Sequence, residues 1–580
     1  MFFFLEYCLV AILIVGAYFL RSFPSGWLKA AEQHLGRLAR RRALAVFLVA
    51  VLALAIRAAL LPNVPVPKPG FHDDFGYLLA ADTFAHGRLA NPTHPMWIHF
   101  ESIHINQKPT YMPMYYAAQG LVMALGQVIA GNPWIGVWLS AGAMCAAICW
   151  MLQGWLPPGW ALLGGLLAAM RLASYTYWVN SYCGGALPAI GGALVLGALP
   201  RIKRRARMRE ALLMGLGLAL LANTRPYESL FFGIPIGVAA LVWILGKKRP
   251  PWGQLLSRIV LPLALLLAVT AAGMAYFFWR VTGSPFRIPY QVNLDTYIAV
   301  PYFPWQPLNL KHVYHHAVLE KFYLHGWQMF FYYHARRHPF KLLAEKVSDI
   351  YRFFLGPVLA LPLVVLLAFN PRQFLRKALT GKTGFLVGVC GATYVGLALP
   401  IYFVPHYAAP MTAAIYALVL QSMRYLRLWS WRGKAVGLGL VRAIPAICVL
   451  LFLLRAAAPQ LHIPTPVEWS HTWDSENFQN LDRARALAQL EGLAGDQLVI
   501  VRYNQYHNSD NEWVYNMADI DKAKVVWARD MDDSENAELI RYFPHRRVWL
   551  AEPDLAPPRL SPYPALPDSV LEVQSPKQHD

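Results

Sequence analysis

Residues 71–111 read FHDDFGYLLAADTFAHGRLANPTHPMWIHFESIHINQKPTY and concentrate reactive side chains on one short polar stretch. Asp73 and Asp74 are adjacent carboxylates, and such a pair can hold a divalent cation, orient a hydroxyl nucleophile, or accept its proton as general base. The bland alternative is a solvated loop that tolerates charge. Lys108, directly before Pro109, offers a cation to a phosphate at headgroup level, although the same residue serves equally as a snorkelling anchor. His72, His86, His94, His99 and His104 lie between. Their spacings match no compact ligand motif such as HExxH, so no transition metal is expected; a divalent cation, if one is used, falls to Asp73 and Asp74.

Arg225 in NTRPYES and His406 in FVPHYAAP each punctuate an apolar stretch. Ionisable groups at membrane depth are costly and face a cavity or a partner, which makes both functional candidates.

The elements that must position these groups are membrane spans. The 580 residues are 57% hydrophobic and 14% charged, and mean hydropathy is +0.35, outside the range of a soluble domain. A formal charge of +20 suggests nucleic acid in a soluble protein, but here the basic residues cluster in short loops between apolar runs, which is membrane topology. About 20 of the 32 acidic residues follow residue 458, which divides a basic spanning region, 1–457, from a more acidic region, 458–580. Cys8, Cys145, Cys149, Cys183, Cys390 and Cys448 form no CxxC pair, so neither a disulfide framework nor a zinc site is indicated.

In chain order, residues 1–20 lack a positive leader and a cleavage site and read as a retained helix with its amino end outside. Residues 28–42 alternate apolar and basic residues and should lie on the cytoplasmic surface. After a span at 43–61 comes the first outer loop, 62–111. Apolar segments follow at 112–130, 134–151, 160–172, 186–200, 211–222, 230–245, 255–278, 353–369, 385–403, 408–423 and 436–454. Basic runs at 201–209, 247–249, 372–377 and 424–434 should be cytoplasmic. Parity then requires 134–151 and 160–172 to make one net crossing as stacked half-spans, for about 12 crossings in all. Residues 280–351 form a second outer loop, aromatic and histidine-bearing, which either rests in the headgroups or lines a groove. Beyond residue 464, helical patterns at 478–493 and 535–543 alternate with strands at 497–503, 523–528 and 547–551, a small α/β domain outside the membrane with a supporting or substrate-guiding role.

The ordered set Asp73-Asp74-Phe75-Gly76-Tyr77, Ala81, Gly87, Pro92, Lys108-Pro109 and Tyr115-Tyr116 resembles the first outer loop of the GT-C superfamily of polyprenyl-phosphate-dependent glycosyltransferases, in the branch of the protein O-mannosyltransferases and the lipid A aminoarabinose transferases. The resemblance covers residues 1–455 in architecture and rests mainly on 71–116. It implies a mainly α, polytopic GT-C-like fold, an arginine-proline near the end of a middle helix (Arg225-Pro226) and a late aromatic-proline feature (Tyr407 to Pro410). The sequence departs from the pattern in three places: Asp74 stands where the family usually has Glu, the run Asn180, Ser181 and Tyr182 stands where some members carry another acid, and His406 stands where arginine is common.

These readings give a membrane enzyme that moves a sugar from a polyprenyl-phosphate donor to a hydroxyl of a lipid, glycan or protein on the outer face of the cytoplasmic membrane, with inversion. Asp73 and Asp74 are the candidate catalytic residues, and Tyr77, Lys108, Arg225, His406 and Tyr407 the candidate substrate-binding ones. Expected partners are the bilayer, the lipid-linked donor and an acceptor, with no nucleic acid and no certain cofactor beyond a divalent cation at the acidic pair. A transporter or flippase of an anionic lipid-linked substrate would use the same cations through the depth of several helices. A non-catalytic assembly subunit would leave the stretch 71–111 dispensable.

Overall fold

A computed structural model describes residues 2–19, 26–369, 371–465, 472–475 and 478–564. Part of the first apolar segment expected at 1–20 and parts of the acidic region 458–580, including everything beyond 564, lie outside them.

The protein is a polytopic helical membrane protein with a small sheet domain. Among the described residues seven helices are long and apolar enough to cross a membrane. The amino-terminal helices are α1 (Phe2–Phe19), α2 (Gly26–Arg40), α3 (Arg42–Ala59), α4 (His72–Ala85), α5 (Ala117–Ala130), α6 (Trp134–Trp155), α7 (Pro158–Leu172), α8 (Ala186–Arg205), α9 (Met208–Ala222) and α10 (Pro226–Leu245). Then come α11 (Trp252–Thr282), α12 (Pro339–Phe369), α13 (Gly381–Ala398), α14 (Thr412–Leu426) and α15 (Val436–Ala456). Neighbours in the chain pack as antiparallel pairs, and small residues let them close: a Cβ added to Gly217 of α9 would lie 2.7 Å from the carbonyl oxygen of Gly191 of α8.

The bundle has two chemically distinct ends. One carries the stretch 71–111 and is called here the acidic end. The other carries the basic last turn of α8, Lys203 to Arg205, and is the basic end.

The expected half-spans are corrected. At the acidic end Trp134, opening α6, donates from Nε1 to the carbonyl of Val179 at 2.8 Å, and Asn180 accepts from Arg57 of α3 at 3.0 Å. At the basic end Gln153, near the close of α6, donates to the carbonyl of Arg42 at 3.0 Å. So α6 runs the full depth, and α7 returns to Asn180. The segment that fails to cross is α5. Its first turn meets the end of α9, where the Ala118 N–H donates to the Asn223 carbonyl at 3.3 Å, and its last turn hands over to α6 at the same end. Gly131, with φ 68°, stops the helix in the left-handed region that glycine enters freely. The chain folds back so closely that a Cβ on Gly136 would sit 2.0 Å from the carbonyl oxygen of Val122.

A second correction concerns residues 71–111, expected as a hydrophilic loop. They form α4, then three short strands β1 (Asn91–Pro92), β2 (Ile105–Asn106) and β3 (Thr110–Pro113) in the order β1-β3-β2. Phe75, Leu79, Ala80 and Ala81 are buried, the first two against the sheet domain and the last two against α5, so α4 folds by packing on both rather than by lying in water.

In the sheet domain β4 (Gln497–Val501) lies parallel to β5 (Val525–Arg529) and β6 (Arg547–Glu552), and β7 (Arg559–Pro562) closes the edge antiparallel to β6. Helices α16 (Leu481–Glu491) and α17 (Asp533–Tyr542) alternate with the strands. The strand β7 was not anticipated, because its proline-flanked RLSP has no alternating pattern. The domain sits on 71–111: Tyr111 donates to the Asn516 carbonyl at 2.9 Å, Ser102 donates to Val514, the Ala518 N–H donates to Asp82 at 2.9 Å, and Phe75 stacks on Tyr515 with ring centroids 4.1 Å apart.

Candidate active site

The β2–β3 hairpin delivers two side chains to one carboxylate. Ile105 pairs with Pro113, and the Met114 N–H donates to the His104 carbonyl at 3.0 Å, so His104 and Tyr115 stand side by side beyond the ladder. His104 has φ 62°, a left-handed conformation uncommon outside glycine. Its N–H donates to the Tyr323 hydroxyl at 3.2 Å, which helps fix that turn. Strained backbone of this kind gathers at functional sites.

Asp73, in the first turn of α4, receives both donors on the same oxygen. Tyr115 donates to Oδ1 at 2.5 Å and His104 Nδ1 lies 3.0 Å from it. No described residue hydrogen-bonds Oδ2, and the side chain is 31% exposed. Burial alone would raise this carboxyl, but the bond and charge of His104, the Tyr115 hydroxyl and the charge of His406 outweigh it and hold Asp73 well below the usual carboxylate range. Burial lowers His104. A carboxylate oxygen only accepts, so Nδ1 of His104 carries the proton of the bond to Asp73.

Asp74 has a different task. It is wholly buried. Its Oδ2 accepts the Gly70 N–H at 3.0 Å and its Oδ1 the Tyr182 N–H at 2.8 Å, which pins the entry to α4 against the 174–183 turn. Burial first, and then the neighbouring Asp73 charge, push the Asp74 carboxyl up to about 7 despite these two donors. The pair thus offers one open oxygen, and does not fit a cation shared by two carboxylates. Among the described residues no group of three His, Cys, Asp or Glu side chains is placed to hold a metal ion.

Beside the carboxylate lies a cationic, aromatic wall. Tyr77 stacks on Tyr115, with centroids 4.4 Å apart. Its hydroxyl is raised by burial and feels Arg225 and Asp73 with opposite signs, so it lies within range of both charges. Arg225 precedes Pro226 at the first turn of α10; its guanidinium carbon is 4.2 Å from the Tyr407 ring centroid, and its nearest carboxylate among the described residues, Glu228, is 3.9 Å away. His406 Nδ1 lies 3.0 Å from the Tyr177 hydroxyl, which also accepts the His406 N–H at 3.0 Å. In a neutral ring that hydroxyl can donate to Nδ1, the pairing that puts the ring proton on Nε2. Tyr290 and Tyr302, joined through their hydroxyls, approach from the second loop. The arrangement sets one ionised carboxylate beside fixed donors suited to an anion.

Sequence reading placed Asp73, Tyr77, Arg225, His406 and Tyr407 in the site, and the structure brings them together. Lys108 it does not bring. Lys108 is exposed, its ammonium 4.1 Å from the Trp97 ring centroid. It lies at the far end of β3 from Tyr115, roughly 20 Å of extended chain at about 3.3 Å per residue. Asn180, at the position where an additional acid was sought, is consumed by Arg57 and by the carbonyls of Ser174 and Thr176. The sequence reading missed His104, Tyr115, Tyr177, Tyr290 and Tyr302 as site residues. The only signal was Tyr115 within the aromatic run after Lys108-Pro109; the others depend on strand register and long-range packing.

The chain matches no protein-family model and no curated protein. Solved structures of similar chain path include ArnT from Cupriavidus metallidurans bound to undecaprenyl phosphate, at 9% identity and a TM-score of 0.46 over 87% of this chain and 92% of that one. They also include the Archaeoglobus fulgidus oligosaccharyltransferase tethered with an acceptor peptide, at 11% identity and a TM-score of 0.37 over 87% of this chain and 68% of that one. A third is the oligosaccharyltransferase AglB from the same organism in complex with an inhibitory peptide and a dolichol-phosphate, at 11% identity and a TM-score of 0.42 over 88% and 69%.

Proposed function

We propose that the protein is a GT-C-type glycosyltransferase that transfers a hexosyl or pentosyl group from a polyprenyl-phosphate donor to an acceptor hydroxyl, on the outer face of the cytoplasmic membrane. The observation that carries this reading is a strongly ionised Asp73, one oxygen of which has no hydrogen-bond partner among the described residues, sharing the neighbourhood of Tyr77 and Tyr407 with an arginine held on tyrosine at one end of a membrane bundle. The motif resemblance at 73–116 supports the same class.

The acceptor hydroxyl donates to Asp73 Oδ2 and its oxygen attacks the anomeric carbon from the side opposite the phosphate. The carbon–oxygen bond to phosphate breaks, polyprenyl phosphate departs with the bonding pair, and the acceptor proton passes to Asp73 and then to water. Configuration inverts. A carboxylate this acidic is a weak base, so it works best when bond breaking leads and the acceptor proton becomes acidic late in the step. Arg225, with Nε2–H of His406, stabilises the charge that grows on the leaving phosphate. Tyr77 and Tyr407 line the path between the two charges, and Asp74 positions α4. Lys108 is assigned to the rim, where it meets headgroups or the approaching acceptor.

The test is lipid analysis of cells with and without the chain. Loss of the protein should leave a polyprenyl-phosphate sugar accumulated and one glycan modification missing, whereas unchanged lipids and glycans in membranes that normally contain it would refute the reading. Ionisable candidates gathered at one end, rather than through the depth of several helices, favour transfer over transport.

A further inference from the structure

The basic end of the bundle holds a cavity of about 430 Å³, bordered by Arg42, Arg204, Lys382 and Arg424 and partly walled by Trp155 and Gln421. No acidic side chain lines it. Among the described residues none of the four cations has a carboxylate within 4.0 Å, although Arg427 and Arg442 at the same end do find one in Glu32. Positive charge at this end follows from membrane topology alone. Four cations without a carboxylate partner among the described residues, converging from α3, α8, α13 and α14 on one half-open cavity, do not.

Two of the four are held in place. Arg204 donates to the carbonyls of Pro200 and Gly154 at 3.0 and 3.2 Å, and Arg424 donates to the Gln421 amide oxygen at 2.8 Å. The Gln153 amide donates to the Arg42 carbonyl at 3.0 Å and fixes the wall between α3 and α6. Trp155 stacks on Phe385 at 5.8 Å, giving an apolar side suited to carbon atoms next to a charged group. The volume equals roughly fourteen waters at about 30 Å³ each, far more than a single small ion needs. Basic pockets between spanning helices bind anionic lipid headgroups.

We infer that this cavity is a binding site for a phosphate-bearing anion of headgroup size, remote from the Asp73 site. Its guanidinium and ammonium groups take the phosphate oxygens, and Gln421 lies beside them for a headgroup hydroxyl. The same chemistry is supplied by an anionic phospholipid of the surrounding leaflet or by a soluble phosphate ester.

The test uses the full chain in nanodiscs. Native mass spectrometry compares phosphatidylcholine discs, discs that also contain phosphatidylglycerol, and phosphatidylcholine discs titrated with glycerol phosphate at constant ionic strength. The wild type should retain phosphatidylglycerol if the source is lipid, or glycerol phosphate if it is soluble. Lys382→Gln with Arg424→Gln should weaken the bound species about fivefold per cation, roughly thirtyfold together. Lys382→Gln alone, at an exposed side chain, covers the case in which the double variant does not fold. Lys247→Gln with Lys248→Gln removes equal charge from the loop between α10 and α11 and should change nothing. Equal weakening by that pair, or no retention of either probe by the wild type, overturns the inference.

Discussion

The Tyr115 hydroxyl lies 2.9 Å from Nδ1 of His104, and both reach one oxygen of Asp73 while its second oxygen has no hydrogen-bond partner among the described residues. Two donors on one side of a carboxylate fix its orientation and keep it ionised. They leave a single acceptor lobe for a substrate hydroxyl.

Removing one donor should therefore change a pH profile. Tyr115→Phe loses a hydrogen bond to a charged acceptor, on the order of 1.5–3 kcal/mol, or roughly ten- to hundredfold in turnover if all of it is expressed in the transition state. The Asp73 carboxyl is depressed in the native protein, so its ionised form survives acidification. In Tyr115→Phe that depression is relieved and the acid limb of the rate profile should move to higher pH. A uniform drop with an unmoved limb would assign Tyr115 to packing alone.

Arg225 stands at the helix opening with its guanidinium on the Tyr407 face. Arg225→Ala should cost on the order of 10²–10³ in kcat, the usual loss for one transition-state donor. Arg225→Lys should recover only part of it, because an ammonium neither stacks nor forks as guanidinium does. Full activity of the lysine variant would show that charge alone suffices.

Lys108 provides a contrast. Exposed and lodged on Trp97, it should behave as a surface residue, with Lys108→Ala changing transfer by no more than about twofold, the size of a change within about 0.5 kcal/mol. A kinetic assay in detergent with soluble acceptor measures this, and a loss comparable to Arg225→Ala would return Lys108 to the phosphate site.

Asp74 gives a stability signature. Its carboxyl is raised to about 7 in the folded chain against roughly 3.9 unfolded, so between these values the folded state binds the extra proton. The stability this group adds is complete below pH about 4 and is lost as pH rises toward 7. Asp74→Asn removes the titration, and the wild-type thermal midpoint should fall between pH 5 and 7 more steeply than that of the variant. Parallel slopes would contradict the assignment.

Much of this architecture was legible because it follows from hydropathy. Basic loops identified the basic end, and alternating patterns located β4, β5 and β6 and their helices. The errors have physical causes. Residues 117–130 are as apolar as a span, but Gly131 and the contact of Gly136 with Val122 turn the chain back, and only geometry distinguishes an apolar helix that stays at one end from one that crosses. The helix α4 was hidden because His72, Asp73 and Asp74 open it in polar guise while Phe75 and Leu79 carry the packing. In the site, Asp73 was found as one of two adjacent carboxylates in a polar stretch, and Arg225 and His406 by the cost of burying charge. His104 was passed over because the histidines were weighed as metal ligands, and its role depends on a left-handed turn and on β2–β3 register. Lys108 was drawn in by its place in a linear motif, which carries no information about the 20 Å or so of extended strand beyond it.

The most direct measurement is transfer by Asp73→Asn, assayed with a synthetic polyprenyl-phosphate sugar in membranes holding the same amount of folded protein as wild type. The side chain keeps its size and loses its charge. The account predicts a fall of at least about 10²-fold, the lower range for loss of a general base, with donor binding retained through Arg225 and His406. Undiminished turnover would contradict it.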